Sequence, residues 1–97
     1  MYFSPGTHRE AGLSFSPIKA IISPRPIGWI SSRGDDGSIN LAPYSYFNAI
    51  SEHPPMVIFS SAPLGDSGHK DSIRNVLETK EFVVNIVSSA LGNAMNI

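Results

Sequence analysis

Ile27-Gly28-Trp29-Ile30-Ser31-Ser32 is followed by Arg33-Gly34-Asp35-Asp36-Gly37 and then by a long stretch from Ser38 to about Asn48. The first stretch is short, β-branched and aromatic, which predicts a strand. Pro24 and Pro26 stand just before it, where missing backbone donors do least harm. The second stretch is turn chemistry: Asp35 and Asp36 tolerate tight turns, and Gly37 can take positive φ. The third predicts a second strand with a change of phase. Ile39 and Leu41 alternate on one face, Pro43 intervenes, and Tyr44 and Tyr46 alternate after it. A proline at a phase break predicts a bulge or bend, and bulges often lie beside binding sites.

Beyond this hairpin, His53-Pro54-Pro55 closes the segment. Met56-Val57-Ile58-Phe59 is a continuous apolar run, which predicts a strand buried on both faces. Ala62 to Gly68 reads as a loop. Asp71 to Lys80 reads as a helix: Ile73, Val76 and Leu77 fall at i, i+3 and i+4, and Asp71 or Ser72 can cap its start. Phe82 to Val87 is β-branched and predicts a further strand. Ser88-Ser89 reads as the cap of a last helix from about Ala90. Residues 1–17 are rich in Ser, Pro and Gly without periodicity and read as an arm. The chain stops at Ile97 inside the last helical signal. The expectation is a fragment, or an assembly that supplies a partner for the exposed face.

A chain of 97 residues is of one-domain length and buries a modest core. Seven basic residues against eight acidic ones provide no field for nucleic acid. The absence of cysteine excludes disulfides, thiolate zinc sites, iron–sulfur clusters and Cys nucleophiles. No apolar run approaches the ~20 residues of a membrane helix. The N-terminus carries Pro5, His8, Arg9 and Glu10 where a signal peptide would carry an apolar core. A soluble, cytoplasmic protein is expected.

Three blocks carry the candidate chemistry. Lys70-Asp71-Ser72 opens the helix read from Asp71. A helix start presents unpaired N–H groups and a partial positive charge, and Lys70 and Ser72 add a cation and a hydroxyl. Together they suit a phosphate monoester. Equally, Asp71 can cap the helix with Lys70 as a solvated charge. Asn40-Leu41-Ala42-Pro43-Tyr44-Ser45-Tyr46-Phe47-Asn48 holds amides and hydroxyls on a bent strand. Such groups can meet the polar edge of a planar heterocycle, or can satisfy the irregular backbone around Pro43. Ser31-Ser32 ends the first strand, and Ser60-Ser61 follows the apolar run; the latter pair can face a ligand or simply start a loop. His8, His53 and His69 lack metal-like spacing. Trp29 reads as core or interface, and Arg33-Gly34-Asp35 as a coincidental match to an adhesion tripeptide. No G-x-G-x-x-G and no P-loop is present.

Taken in order, five blocks resemble the flavin reductase-like family of FMN-binding split barrels, which includes flavoredoxin-like proteins. The blocks are Pro24 to Ser32, Asn40 to Asn48, Pro54-Pro55-Met56-Val57, Lys70-Asp71-Ser72-Ile73-Arg74-Asn75 and Glu81-Phe82-Val83-Val84-Asn85. The resemblance implies a mostly β architecture, an incomplete split barrel with one or two helices, in which residues 18–97 form the N-terminal part of the domain. It implies FMN bound non-covalently at a homodimer interface. Ser31 and Ser32 would lie near the flavin. Ala42, Pro43, Tyr44 and Ser45 would line the ring and ribityl chain, with Phe47 and Asn48 nearby. Ser60 and Ser61 would be the strand-end serines, and Lys70, Asp71 and Ser72 would hold the phosphate. The implied activity is NAD(P)H:flavin oxidoreduction, with no side chain nominated as acid or base. The rival readings are an FMN-binding electron carrier that relies on a redox partner protein, a β-barrel interaction module without cofactor, and a relative acting on pyridoxal phosphate.

Overall fold

Strand β1 (Gly28–Arg33) and strand β2 (Ile39–Tyr44) form an antiparallel hairpin with Gly28 opposite Tyr44 and Arg33 opposite Ile39. The turn closes as its chemistry requires. Gly34 N–H donates to the Ser38 carbonyl at 2.8 Å, Gly37 N–H donates to the Gly34 carbonyl at 3.0 Å, and Gly37 takes φ +86°. Asp36 Oδ1 accepts from the Ser38 hydroxyl at 2.6 Å and from the Ser38 N–H at 3.0 Å. The hydroxyl first, and then the N–H, hold the Asp36 carboxyl below its ordinary pKa. Strand β5 (Val83–Asn85) adds to the other edge of β1, so the sheet runs β2-β1-β5.

The computed structural model describes residues 2–62, 68 and 70–96. Most of the loop read from Ala62 to Gly68, and His69, lie outside the described residues. A second sheet pairs strand β3 (Phe47–Glu52) with strand β4 (Pro55–Phe59) through a tight turn at His53-Pro54. The expected single strand from Ser38 to Asn48 is therefore two strands in different sheets. The break falls at Ser45-Tyr46, not at Pro43. Pro43 pairs with Trp29 inside β2. That position is tolerated because β2 is an edge strand, where a missing donor breaks few ladder bonds. The bulge sits further on, between Ala49 and Ser51 of β3.

The run Met56-Val57-Ile58 is exposed, against the expectation of burial on both faces. A sheet of two strands gives β4 one neighbour and leaves its faces largely uncovered. Phe59 alone in this strand turns into an aromatic file. Its ring lies 5.1 Å from Tyr44 and 4.9 Å from Phe82, which ties the two sheets together. The expected strand from Phe82 to Val87 shortens to β5. The last helix is a 3-10 turn at Ser89–Leu91 followed by one turn of helix at Gly92–Met95, with no side-chain cap at Ser88.

Helix α2 (Asp71–Thr79; α1 is the short Ile18–Ile21) packs on β1 and β2 through polar feet. Asn75 Nδ2 donates to Ser32 Oγ at 3.2 Å, and Asn40 Nδ2 donates to Ser72 Oγ at 2.6 Å. Ser32 and Asn40 are opposite each other in the ladder, so the helix lands on one cross-strand pair. Ser32, Ser72 and Asn75 are 4%, 1% and 4% exposed, and each is satisfied by another member of this set or by Asn40. The apolar stripe Ile73, Val76 and Leu77 instead borders a cleft with Val57, Phe59 and Phe82. The helix start is also capped differently from expectation: Lys70 is the N-cap and makes no side-chain cap bond, while Asp71 pairs with Arg74 at 3.0 Å. Ile30 and Tyr44 are the buried apolar side chains among the described residues. The molecule is mostly β with few helices, and its described strands form open sheets rather than a closed barrel.

Candidate functional site

The passage from β2 to β3 builds a groove. Ser45 and Tyr46 carry the chain from one sheet to the other, and the Ser60 N–H donates to the Tyr46 carbonyl at 2.9 Å. That bond brings the end of β4 to the crossing. The groove holds about 470 Å³. Ser45, Tyr46, Phe47 and Asn48 line it from the crossing, Ile58 and Ser60 from β4, and Ile18, Ile22, Pro24, Arg25 and Pro26 from the chain before β1. Its polar side chains among the described residues are those of Ser45, Asn48 and Ser60, with Arg25 and Tyr46 beside them. Asn48 Oδ1 accepts from the Ala49 N–H at 2.8 Å, and its NH₂ makes no bond among the described residues. Phe47 is seated against the backbone of Gly28. A Cβ at Gly28 would stand 2.6 Å from the ring, so only glycine admits this contact.

The remaining sequence-predicted site residues lie elsewhere. Ser31 Oγ accepts from Asn85 Nδ2 at 3.1 Å, which also donates to the Trp29 carbonyl at 3.0 Å. Ser31 and Ser32 border a separate cleft of about 350 Å³ with Arg33, Ile39 and Phe82, beside the Arg33–Glu81 ion pair. Ala42, Pro43 and Tyr44 belong to β2, with Tyr44 buried in the aromatic file. Ser61 Oγ donates to the Ala62 carbonyl at 3.2 Å. Lys70 and Asp71 are exposed at the start of α2. Ser72 faces the sheet: its oxygen is taken by Asn40, and it is not presented to solvent at the helix start. The structure thus gathers Ser45, Phe47, Asn48 and Ser60 in the groove. It places Ser31, Ser32 and Ser72 in asparagine–serine struts.

A flavin reductase like domain matches residues 22–96, which spans both sheets and α2. The chain belongs to the flavin reductase like family. Among curated relatives of this flavin reductase like domain, an uncharacterised protein of Aquifex aeolicus is 44% identical over 80 residues, covering 82% of this chain and 41% of its own length. An uncharacterised protein of Deinococcus radiodurans is 40% identical over 84 residues, covering 82% of this chain and 37% of its own. Among solved structures, nitrilotriacetate monooxygenase component B from Bacillus cereus superposes with a TM-score of 0.77 at 32% identity, over 99% of this chain and 48% of that one. Pseudomonas fluorescens 2-nitrobenzoate 2-nitroreductase NbaA superposes with a TM-score of 0.67 at 26% identity, over 99% of this chain and 45% of that one. The chain spans about half the length of these proteins or less.

Within the flavin reductase like fold, the groove wall contributed by Ile18, Ile22 and Arg25 escapes a reading of the residues alone. Helix α1 is too short for a helical period to show, and nothing local announces that it shares a groove with Tyr46. Pro24 and Pro26 are legible as punctuation before a strand, but not as groove lining. No group of His, Asp and Glu among the described residues could hold a metal ion, and no helix of the described residues is long and apolar enough to cross a membrane.

Proposed function

We propose that this domain binds FMN and serves NAD(P)H-dependent flavin reduction. The observation that carries the proposal is that Ser45, Asn48 and Ser60 line one mostly apolar groove. A planar heterocycle needs an apolar wall for its face and a few donors and acceptors for its polar edge. In this reading Phe47 and the prolines before β1 pack the ring face. The Asn48 NH₂, free among the described residues, and the two hydroxyls meet the heteroatom edge. Lys70 and the uncapped N–H groups at the start of α2 receive the phosphate. When bound, FMN supplies hydride acceptance from a nicotinamide and onward transfer of the electrons. Among the described residues no carboxylate or imidazole lines the groove, and the side chains that do line it serve in this reading to bind and orient the ring. The two structural neighbours, a monooxygenase component and a nitroreductase, support a redox role for this domain.

The same proposal takes residues 1–17 as an arm, residues 18–97 as the N-terminal part of the domain, a homodimer as the working unit and the cytoplasm as its place. The exposed apolar side chains of β2 and β5, Ile39, Leu41 and Val83, support burial against further polypeptide. The first experiment is titration of the protein with FMN and with riboflavin by flavin fluorescence. Saturable binding that prefers FMN is the expected result. Bleaching of the bound flavin by NAD(P)H then separates a reductase from an electron carrier; absence of bleaching with efficient reduction by a partner protein would remove the reductase reading.

A further inference from the structure

The segment before β1 has little of its own to hold it in place. Helix α1 is four residues long and buries no side chain, and Ile18, Ile21 and Ile22 are exposed. A helix of one turn is not self-supporting. What ties it to the groove is Arg25. Arg25 Nη1 donates to the Lys19 carbonyl at 2.9 Å and to the Ile22 carbonyl at 2.8 Å. On its other side the guanidinium lies 5.6 Å from the centroid of the Tyr46 ring, at the crossing between the sheets. Arg25 Nε is buried and has no hydrogen-bond partner among the described residues. A buried N–H without an acceptor costs stability, and the two Nη1 bonds and the Tyr46 ring are what the structure sets against that cost.

We infer that Arg25 is a positioning residue for the groove: it pins residues 18–22 to Tyr46, and the wall so formed grips the face of a planar heteroaromatic ligand. This rests on the ring-binding role proposed above. Among the described residues Arg25 is also the one charged residue lining the groove, and both of its Nη1 bonds go to backbone carbonyls, those of Lys19 and Ile22. Its role is assigned to the wall because its contacts among the described residues are with the chain itself, the Lys19 and Ile22 carbonyls and the Tyr46 ring. Lysine keeps the charge at this position but loses the planar face that stacks on Tyr46.

The test uses the whole protein and two readouts. The first is tryptic cleavage after Lys19, measured without ligand; the Arg25-Pro26 bond is a poor trypsin site, so replacing Arg25 removes no competing cut. The second is affinity for riboflavin and for FMN. Arg25→Ala is expected to speed cleavage after Lys19 and to weaken both flavins by the same factor, about tenfold, with the unfolding midpoint little changed. Arg25→Lys should fall between wild type and Arg25→Ala. Unchanged cleavage after Lys19, or faster cleavage with unchanged affinity, overturns the inference. A loss confined to FMN overturns it too, since that would make Arg25 a phosphate contact. If Arg25→Ala does not fold, Tyr46→Leu removes the stacking face and must speed the ligand-free cleavage after Lys19, a readout independent of Tyr46 also lining the groove; unchanged cleavage overturns the inference. A wild-type protein that binds neither flavin would overturn the proposed function and the ligand half of this inference together. The ligand-free cleavage data distinguish that failure from a failure of Arg25 itself.

Discussion

At Gly28 a single hydrogen atom decides how the groove is built. A methyl group there would stand 2.6 Å from Phe47 Cδ2 and 2.7 Å from Cγ, and the ring would have to leave its seat. Gly28→Ala is expected to destabilise the fold by about 1–3 kcal/mol, read from urea unfolding. It should also weaken riboflavin, because Phe47 is displaced in the groove; an unshifted urea midpoint would show that the ring retreats freely. Lys70 is the opposite kind of residue, exposed and with no side-chain hydrogen bond or ion pair among the described residues. Lys70→Ala is expected to weaken FMN by about tenfold or more while leaving riboflavin unchanged. Equal losses in a paired fluorescence titration would remove Lys70 from the phosphate. Both residues are conspicuous in the sequence, one as a glycine in a strand and the other as a cation at a helix start. Only the second advertises a role, because a helix start is local whereas the Gly28–Phe47 contact joins two different sheets.

Among the elements, the β1–β2 turn is legible in full and the faces of α2 are not. Asp36 stabilises the turn as a carboxylate that accepts two bonds from Ser38. Its pKa is lowered by the Ser38 hydroxyl and then by the Ser38 N–H. A carboxyl lowered in the folded state contributes stability above its unfolded pKa, and that contribution is lost as pH falls through the lowered folded value. Asp36→Asn is therefore expected to flatten the acid limb of a stability–pH profile and to leave its shape above the carboxylate range unchanged. Identical acid limbs for the two proteins would count against the turn carboxylate. Helix α2 misleads for a physical reason. Its apolar positions follow a helical period, yet the surface it lands on is the Ser32–Asn40 pair, so Ser72 and Asn75 turn inward. Periodicity reports which residues share a face; it does not report the chemistry of the surface opposite.

The whole molecule is loosely assembled for its length. Its radius of gyration is 16.2 Å, against the roughly 13 Å of a compact 100-residue domain. On the face of the first sheet turned away from α2, Ile39, Leu41 and Val83 are 70%, 47% and 58% exposed, and Leu41 and Val83 flank Ser31 in register. An apolar face of this kind marks an interaction surface. The protein is expected to associate with rising concentration, and the double substitution Leu41→Lys with Val83→Lys should reduce that association in sedimentation velocity without altering the far-ultraviolet circular dichroism. Unaltered association would move the contact to another face. What the sequence by itself determined is local: the β1–β2 hairpin with its Gly37 turn, the span of α2, the existence of β4 and β5, and the ordered blocks that resemble the flavin reductase-like family. Each rests on interactions between near neighbours in the chain. Only the tertiary structure decided that the strand from Ser38 divides at Ser45-Tyr46, that Ser72 is a strut and not an open donor, and that residues 18–26 wall the groove. Those outcomes depend on which distant surface each element meets, and the pattern of one segment does not carry the chemistry of another.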